Sequence, residues 1–349
     1  MLAHDFDYSL PPELIAQTPA VQRHQSRLMV VLYRSGRVIH SVFSKIDSFL
    51  SPDYLTVINN TMVFPARLFG KKTSGGKVEF LLVRAVDNHR WESLVKPYAR
   101  IKEGSEISID GWDQCVVIKK KLPDGRCIVD FGNRSDPIEV ARRFGKMPLP
   151  PYIKRDKKDN QLDQIDQSRY QTIFARHVGS VAAPTASLHF SPEIIERFKS
   201  RRMEFADLTL HVGPGTFRPV KTERVADHVM DYEYFSLSAE SADKINAYTE
   251  SNKHILPVGT TVVRSLESVA DANGRVAQYH GKTNLFIYPG YTFKLVKNML
   301  TNFHLPKSTL LMLICALAGK DLIMRAYHEA IARKYRFYSY GDAMLILDK

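Results

Sequence analysis

From about Ala66 to Gly145 apolar and polar positions alternate in short β-prone runs, VEFLLVRAV, RWESLV, EISI, CVVIKKKL and CIVDF, separated by the turn signals SGG, DN, KEGS, DG and PDG. A side-chain period of two marks a strand with one face buried. Such strands, repeated every roughly 8–12 residues, predict a small antiparallel barrel. On both sides of this region the period changes. Strands are expected near Met29–Leu32 and Leu55–Ile58, then over Val178–Ala183, Phe205–Val212, Ile255–Val258, Leu285–Tyr288 and Ala343–Leu347. Helices are expected from Ser191, an N-cap followed by Pro192, to about Arg202, over Val262–Ala270, from Ser308 to Ala318 with Gly319 as cap, and over Leu322–Lys334. Strand, loop and helix in repetition predict a layered α/β domain. The expected division is a discontinuous α/β domain, residues 1–62 and 148–349, with an all-β antiparallel barrel domain, 63–147, inserted in it. MPLPP at 147–151 reads as a stiff link, followed by a polar surface loop to about Arg169.

Composition adds a partner. The chain has 349 residues, an ordinary apolar fraction of 44% and a formal net charge of +12, a balance that points to an acidic macromolecule, most simply nucleic acid. The cations cluster at Lys71-Lys72, Lys119 to Lys121, Lys154-Arg155 and Lys157-Lys158. The three cysteines, Cys115, Cys127 and Cys315, form no C-x-x-C pair, so neither disulfide nor metal is expected. No apolar run of about 18 residues and no secretory leader is present, which predicts a cytoplasmic chain with no membrane span.

Four junctions in the C-terminal half are polar and punctuated by glycine or proline: AAPTASLHF (Ala182 to Phe190), HVGPGTFRPV (His211 to Val220), VGTTVVRSLES (Val258 to Ser268) and LTNFHLP (Leu300 to Pro306). In open α/β sheets the ligand lies outside the carboxyl ends of the strands, where three of these four would fall. His211 is expected on the face opposite Leu210 and Val212, turned toward a cleft. His189 and His304, beside phenylalanines, equally suit a core. Arg264 and Glu267 are spaced as a helix pair, while Gly259-Thr260-Thr261 is a small polar turn at a helix N-terminus, suited to a carboxylate or phosphate. There is no G-x-x-x-x-G-K-[ST], no G-x-G-x-x-G followed by an acid, no H-E-x-x-H and no G-x-S-x-G. Phosphate-loop, dinucleotide, ordinary methyltransferase, metalloprotease and serine-nucleophile chemistry all lose support.

The segments DFDYSLPPELIAQ, INNTMVFPARLFGKKTSGGKVEFLL, MPLPPYIKR, RYQTIFA, GSVAAPTASLHF, TLHVGPGTFRPV, VGTTVVRSLES, LFIYPGY, LTNFHLPKSTLLML and YRFYSYGDAML resemble, in order, the S-adenosylmethionine:tRNA ribosyltransferase-isomerases of queuosine biosynthesis. The resemblance implies an α/β domain with an inserted barrel of the six-stranded type, no metal, no prosthetic group, and S-adenosylmethionine as ribosyl donor. The implied acceptor is a tRNA with the deazaguanine precursor, 7-aminomethyl-7-deazaguanine, at the anticodon wobble position. The implied product is epoxyqueuosine, with adenine and methionine released. Such a reaction needs stabilisation of the departing base and a group that removes a proton beside sulfur. His211 is the first candidate for proton transfer and Glu267 the second; Arg264 and the Gly259 to Thr261 turn are candidates for the methionine carboxylate. Further substrate contacts are expected from Thr185, His189, Gly213, Gly215, Thr216, Asn302 and His304. The chain departs from the family pattern at Ser187, where glycine is usual, at Met62 and at Asp231. A tRNA-binding module without catalysis and an RNA methyltransferase are the alternatives; intact polar loops disfavour the first and the missing glycine loop the second.

Overall fold

The computed structural model describes residues 1–155, 160–213, 215 and 220–349. The α/β part is built on two sheets. One has the order β16 (Met299–Asn302), β17 (Ala343–Leu347), β1 (Arg27–Leu32) and β2 (Arg37–Val42), with β1 and β17 parallel at its centre. The AMLIL of β17 is buried at every position, the continuous apolar pattern of a strand covered on both faces. The other has the order β14 (His254–Pro257), β3 (Tyr54–Asn59), β12 (Phe205–Leu210), β13 (Glu233–Leu237) and β15 (Tyr279–Thr283). Its first three strands run parallel and the last two antiparallel. An isolated parallel bridge between Val258 and Leu300, with the Gly259 amide donating to the Leu300 carbonyl at 2.8 Å, joins the edges of the two sheets.

Between β4 (Thr61–Val63) and its parallel partner β11 (His177–Ser180) the chain leaves to form a closed six-stranded antiparallel barrel. Its strands are β5 (Arg67–Lys72), β6 (Lys77–Ala85), β7 (Arg90–Lys96), β8 (Glu106–Ile109), β9 (Cys115–Lys121) and β10 (Arg126–Asp130). Alternate residues, among them Leu68, Val78, Phe80, Leu82, Ile107 and Ile118, fill the interior, as a barrel this small requires. Gly70 allows closure, since a Cβ there would overlap the Ser108 carbonyl oxygen on β8. Helix α1 (Pro137–Phe144), capped by Asp136, adds Val140 and Ala141 to the same core. The α/β chain with an antiparallel barrel is thus the observed class.

Two expectations need correction. The polar stretch after the proline link contains a helix, α2 (Asn160–Arg169). It is anchored by the buried carboxylate of Asp166, which accepts from Arg155 at 2.6 and 2.9 Å and from the Tyr340 hydroxyl at 2.8 Å. Leu285–Tyr288 is not a strand; Ile287 packs irregularly into the core, and the adjacent, more polar β15 forms the sheet edge. The remaining helices are α3 (Pro192–Ser200), α4 (Ala239–Glu250), α5 (Thr260–Val269), α6 (Thr309–Ala318) and α7 (Lys320–Ala332). Among the described residues no helix is long and apolar enough to cross a membrane, and no group of three His, Cys, Asp or Glu is placed to hold a metal ion.

Candidate active site

A small solvent-open cleft of about 60 Å³ lies where the sheets meet, at the carboxyl ends of β14 and β16. After β14 the chain turns through Gly259, whose φ of +97° favours glycine, straight into α5. Among the described residues no side chain caps this helix, and the Val263 amide makes the first intrahelical bond, to the Gly259 carbonyl. The N–H groups of Thr260, Thr261 and Val262 therefore lead the helix without internal acceptors and carry the positive end of its dipole. Of the residues expected to touch substrate, Thr185, Gly259, Thr260, Thr261, Asn302 and His304 line the cleft. Tyr152, Tyr338 and Ser339 line it too. No lysine, arginine or carboxylate does so among the described residues.

Behind this wall the polar groups are interlocked. Asn302 donates from Nδ2 to the Tyr338 carbonyl at 3.1 Å and to His189 Nε2 at 3.2 Å. The Ser26 hydroxyl donates to the Arg23 carbonyl at 3.3 Å, which leaves its oxygen to accept from His189 Nδ1–H at 2.7 Å. His189 is therefore a buried spacer holding Asn302. Burial, aided by Arg23, pulls its pKa down to about 3, so it is neutral. His304 bonds through Nε2 to the Thr301 hydroxyl at 2.8 Å, its carbonyl accepts from the Tyr8 hydroxyl, and burial likewise pulls its pKa to about 3. Tyr338 holds a left-handed φ of +71°, uncommon for a side chain of its size. Its ring lies 4.8 Å from that of Tyr152, whose hydroxyl meets Ser339 Oγ at 2.6 Å. All three come from YIKR and YSYG segments to which no role was given, and a positive φ at tyrosine leaves no mark in sequence.

The other expected residues are elsewhere. Val212 lines the cleft, so His211, one residue earlier, faces the junction of sheet and barrel. Its Nδ1 is 2.8 Å from the Thr61 hydroxyl, and its ring covers Gly179, where any Cβ would collide with it. With the Thr61 hydroxyl donating to the His177 carbonyl at 3.4 Å, its oxygen accepts from Nδ1–H and Nε2 keeps its lone pair. Burial, with His177 adding to it, holds the His211 pKa below 6.5. Gly213 is half-buried, Gly215 leaves room for the Asp231 carboxylate, and Thr216 lies outside the described residues.

Arg264 and Glu267 require correction. Arg264, 3% exposed, points into the fold and pairs with the equally buried Glu233 of β13. Burial lowers its pKa to about 10, so it remains charged; one guanidinium nitrogen meets Glu233, while Nε and Nη1 have no partner among the described residues. Glu267, 1% exposed, accepts from the amides of Lys294, Leu295 and Val296 at 2.9, 3.0 and 2.8 Å and from the Tyr291 hydroxyl at 3.1 Å. Its lone pairs hold a loop in place, which leaves none for a substrate proton. Ser187 is fully buried and its hydroxyl has no partner among the described residues.

A family model described as queuosine biosynthesis protein matches residues 3–346 of the chain. Similar proteins include the S-adenosylmethionine:tRNA ribosyltransferase-isomerase of Halothermothrix orenii, 47% identical over 99% of this chain and 100% of that protein. That of Natranaerobius thermophilus is 49% identical over 99% of each. Among solved structures, the S-adenosylmethionine tRNA ribosyltransferase of Thermotoga maritima is 38% identical, with a TM-score of 0.55 over 98% of this chain and 100% of that one.

Proposed function

The chain belongs to the family of queuosine biosynthesis proteins, and from that premise we propose how it acts as an S-adenosylmethionine:tRNA ribosyltransferase-isomerase. The cleft between β14 and β16 takes S-adenosylmethionine as co-substrate. The acceptor is tRNA carrying 7-aminomethyl-7-deazaguanine at the wobble position. The ribosyl group is transferred and isomerised to give epoxyqueuosine; adenine leaves with the electron pair of its glycosidic bond and takes up a proton, and the methyl group departs on the sulfur of methionine.

The observation that carries this reading is the match over essentially the whole chain to relatives of one activity, with the expected polar residues lining one neutral cleft. The N-terminus of α5 suits the methionine carboxylate, because free N–H groups and the helix dipole both favour an anion there. His211 remains the candidate for the proton beside sulfur. Its imidazole is neutral and presents Nε2 as a base, and the ribose end would reach it by extending past Val212.

Incubation with S-adenosylmethionine and precursor tRNA tests the reading. One free adenine and one free methionine are expected per modified tRNA, with ribose label in the RNA and methyl label in methionine. Recovery of S-adenosylhomocysteine, or methyl label in the tRNA, overturns it.

A further inference from the structure

Asn302 is 2% exposed and lines the cleft, and both of its amide hydrogens are committed, yet among the described residues its Oδ1 has no hydrogen-bond partner. The opposite orientation of the amide is closed to it, because Oδ1 would then face the Tyr338 carbonyl, acceptor against acceptor. A buried acceptor without a donor is costly, and where it borders a cleft it marks the place of a donor on the ligand. The parallel bridge between Val258 and Leu300 brings the start of α5 and the end of β16 together, and Thr260 and Asn302 line the same cleft. The unpaired carbonyl of Asn302 thus borders the same cleft as the N–H groups that open α5, a helix of 10 residues. One favours a donor and the other an anion, and an α-amino acid carries both on a single carbon. Among the described residues Asn302 also offers the one side-chain carbonyl of the lining, and no carboxylate is present there to take a cation instead.

We propose that this corner reads the zwitterionic end of the ligand, the α5 N-terminus taking the α-carboxylate and Asn302 Oδ1 accepting from the α-ammonium, so that Asn302 makes a free α-amine a requirement. The inference rests on the reading of S-adenosylmethionine as co-substrate. His189 acts through Asn302 and is a positioning residue: by accepting from Nδ2 it holds the carbonyl oxygen toward the ligand.

The test is calorimetric binding to the full chain, without tRNA, of S-adenosylmethionine, of its analogue with the α-amine replaced by hydrogen, and of its analogue with the purine 6-amino group replaced by oxygen. Wild type is expected to bind the deamino analogue at least about tenfold more weakly, the size of one hydrogen bond to a charged group, and the 6-oxo analogue within about twofold. Asn302→Leu is expected to lose about tenfold for S-adenosylmethionine and almost nothing for the deamino analogue, so that the discrimination collapses. His189→Gln, which keeps an acceptor for the amide, should preserve the discrimination, and His189→Leu should lose it. Equal binding of the amine and deamino ligands by wild type overturns the proposal even if the variants fail to fold. So does loss confined to the 6-oxo analogue, or discrimination that survives in Asn302→Leu. No binding of S-adenosylmethionine by wild type would instead overturn the co-substrate reading beneath it, and this proposal with it.

Discussion

The cleft at the ends of β14 and β16 and the larger groove between the barrel and α2 are both open, and their chemistry is opposite. The cleft is lined by hydroxyls, an amide, backbone N–H groups and a neutral imidazole. The groove, about 970 Å³, is lined by Arg67, Lys71, Lys77, Lys96, Lys146 and Arg155 with four carboxylates among them. Glu79 pairs with Arg67, Asp163 with Lys146 and Asp166 with Arg155, which leaves Lys71, Lys77 and Lys96 without a carboxylate partner among the described residues. A neutral surface selects by the geometry of hydrogen bonds, whereas lysines without carboxylate partners attract a polyanion at any register. The proposed small co-substrate and the proposed tRNA therefore have surfaces of different kinds, and perturbations that act on only one can separate them.

The largest expected effect lies outside both surfaces. His211→Ala should lower turnover by roughly 10²-fold, the usual loss for a proton-transfer group, with both ligands bound as before. A fall in S-adenosylmethionine affinity would place His211 in the cleft after all, and an early melt would make it structural. Because burial depresses its pKa below 6.5, the neutral base persists to lower pH, so the wild-type rate should stay level down to about pH 6.5 and fall only in more acidic buffer.

Salt comes next. If three lysines meet three phosphates, raising salt from 50 to 200 mM should weaken tRNA binding roughly 30-fold, a slope of about −0.7 to −0.9 per phosphate. S-adenosylmethionine affinity should change by less than about twofold, and a parallel decline of the two would erase the distinction between the surfaces.

The last effect is on stability in mild acid. His189 and His304 have pKa values of about 3 in the fold against 6.5 when free. Between those limits the unfolded chain binds protons that the folded chain does not, so stability present above pH 6.5 is lost as pH falls. The expected loss per histidine is about 1.4 kcal/mol per pH unit. Denaturant melts from pH 7 to 5 should show it, with a slope about one proton smaller in His189→Gln. An unchanged slope would mean that His189 protonates within the fold.

The barrel was legible because its strands are half-buried, so that the period of two survives in VEFLLVRAV and its neighbours. Its first strand, RLFGKK, escaped because lysine and glycine occupy its second half. The turn into α5 was equally plain, glycine and small hydroxyl residues at a helix start being a local signal. Glu267 was misread for the opposite reason: its partners are the amides of residues 294–296, and backbone donors have no letter in the sequence. Arg264 has a local neighbour in Glu267, three residues on, but its partner is Glu233 on another strand. His189 and Asn302, 113 positions apart, could each be nominated from sequence; that one exists to hold the other could not.

The edges of the two sheets touch at the bridge of Val258 and Leu300, and the cleft opens directly on that crease. An occupant reaching from Thr260 to Asn302 would lie across it like a rivet through two plates. How firmly one half of the α/β body is fastened to the other then depends on what fills the cleft as well as on the chain itself.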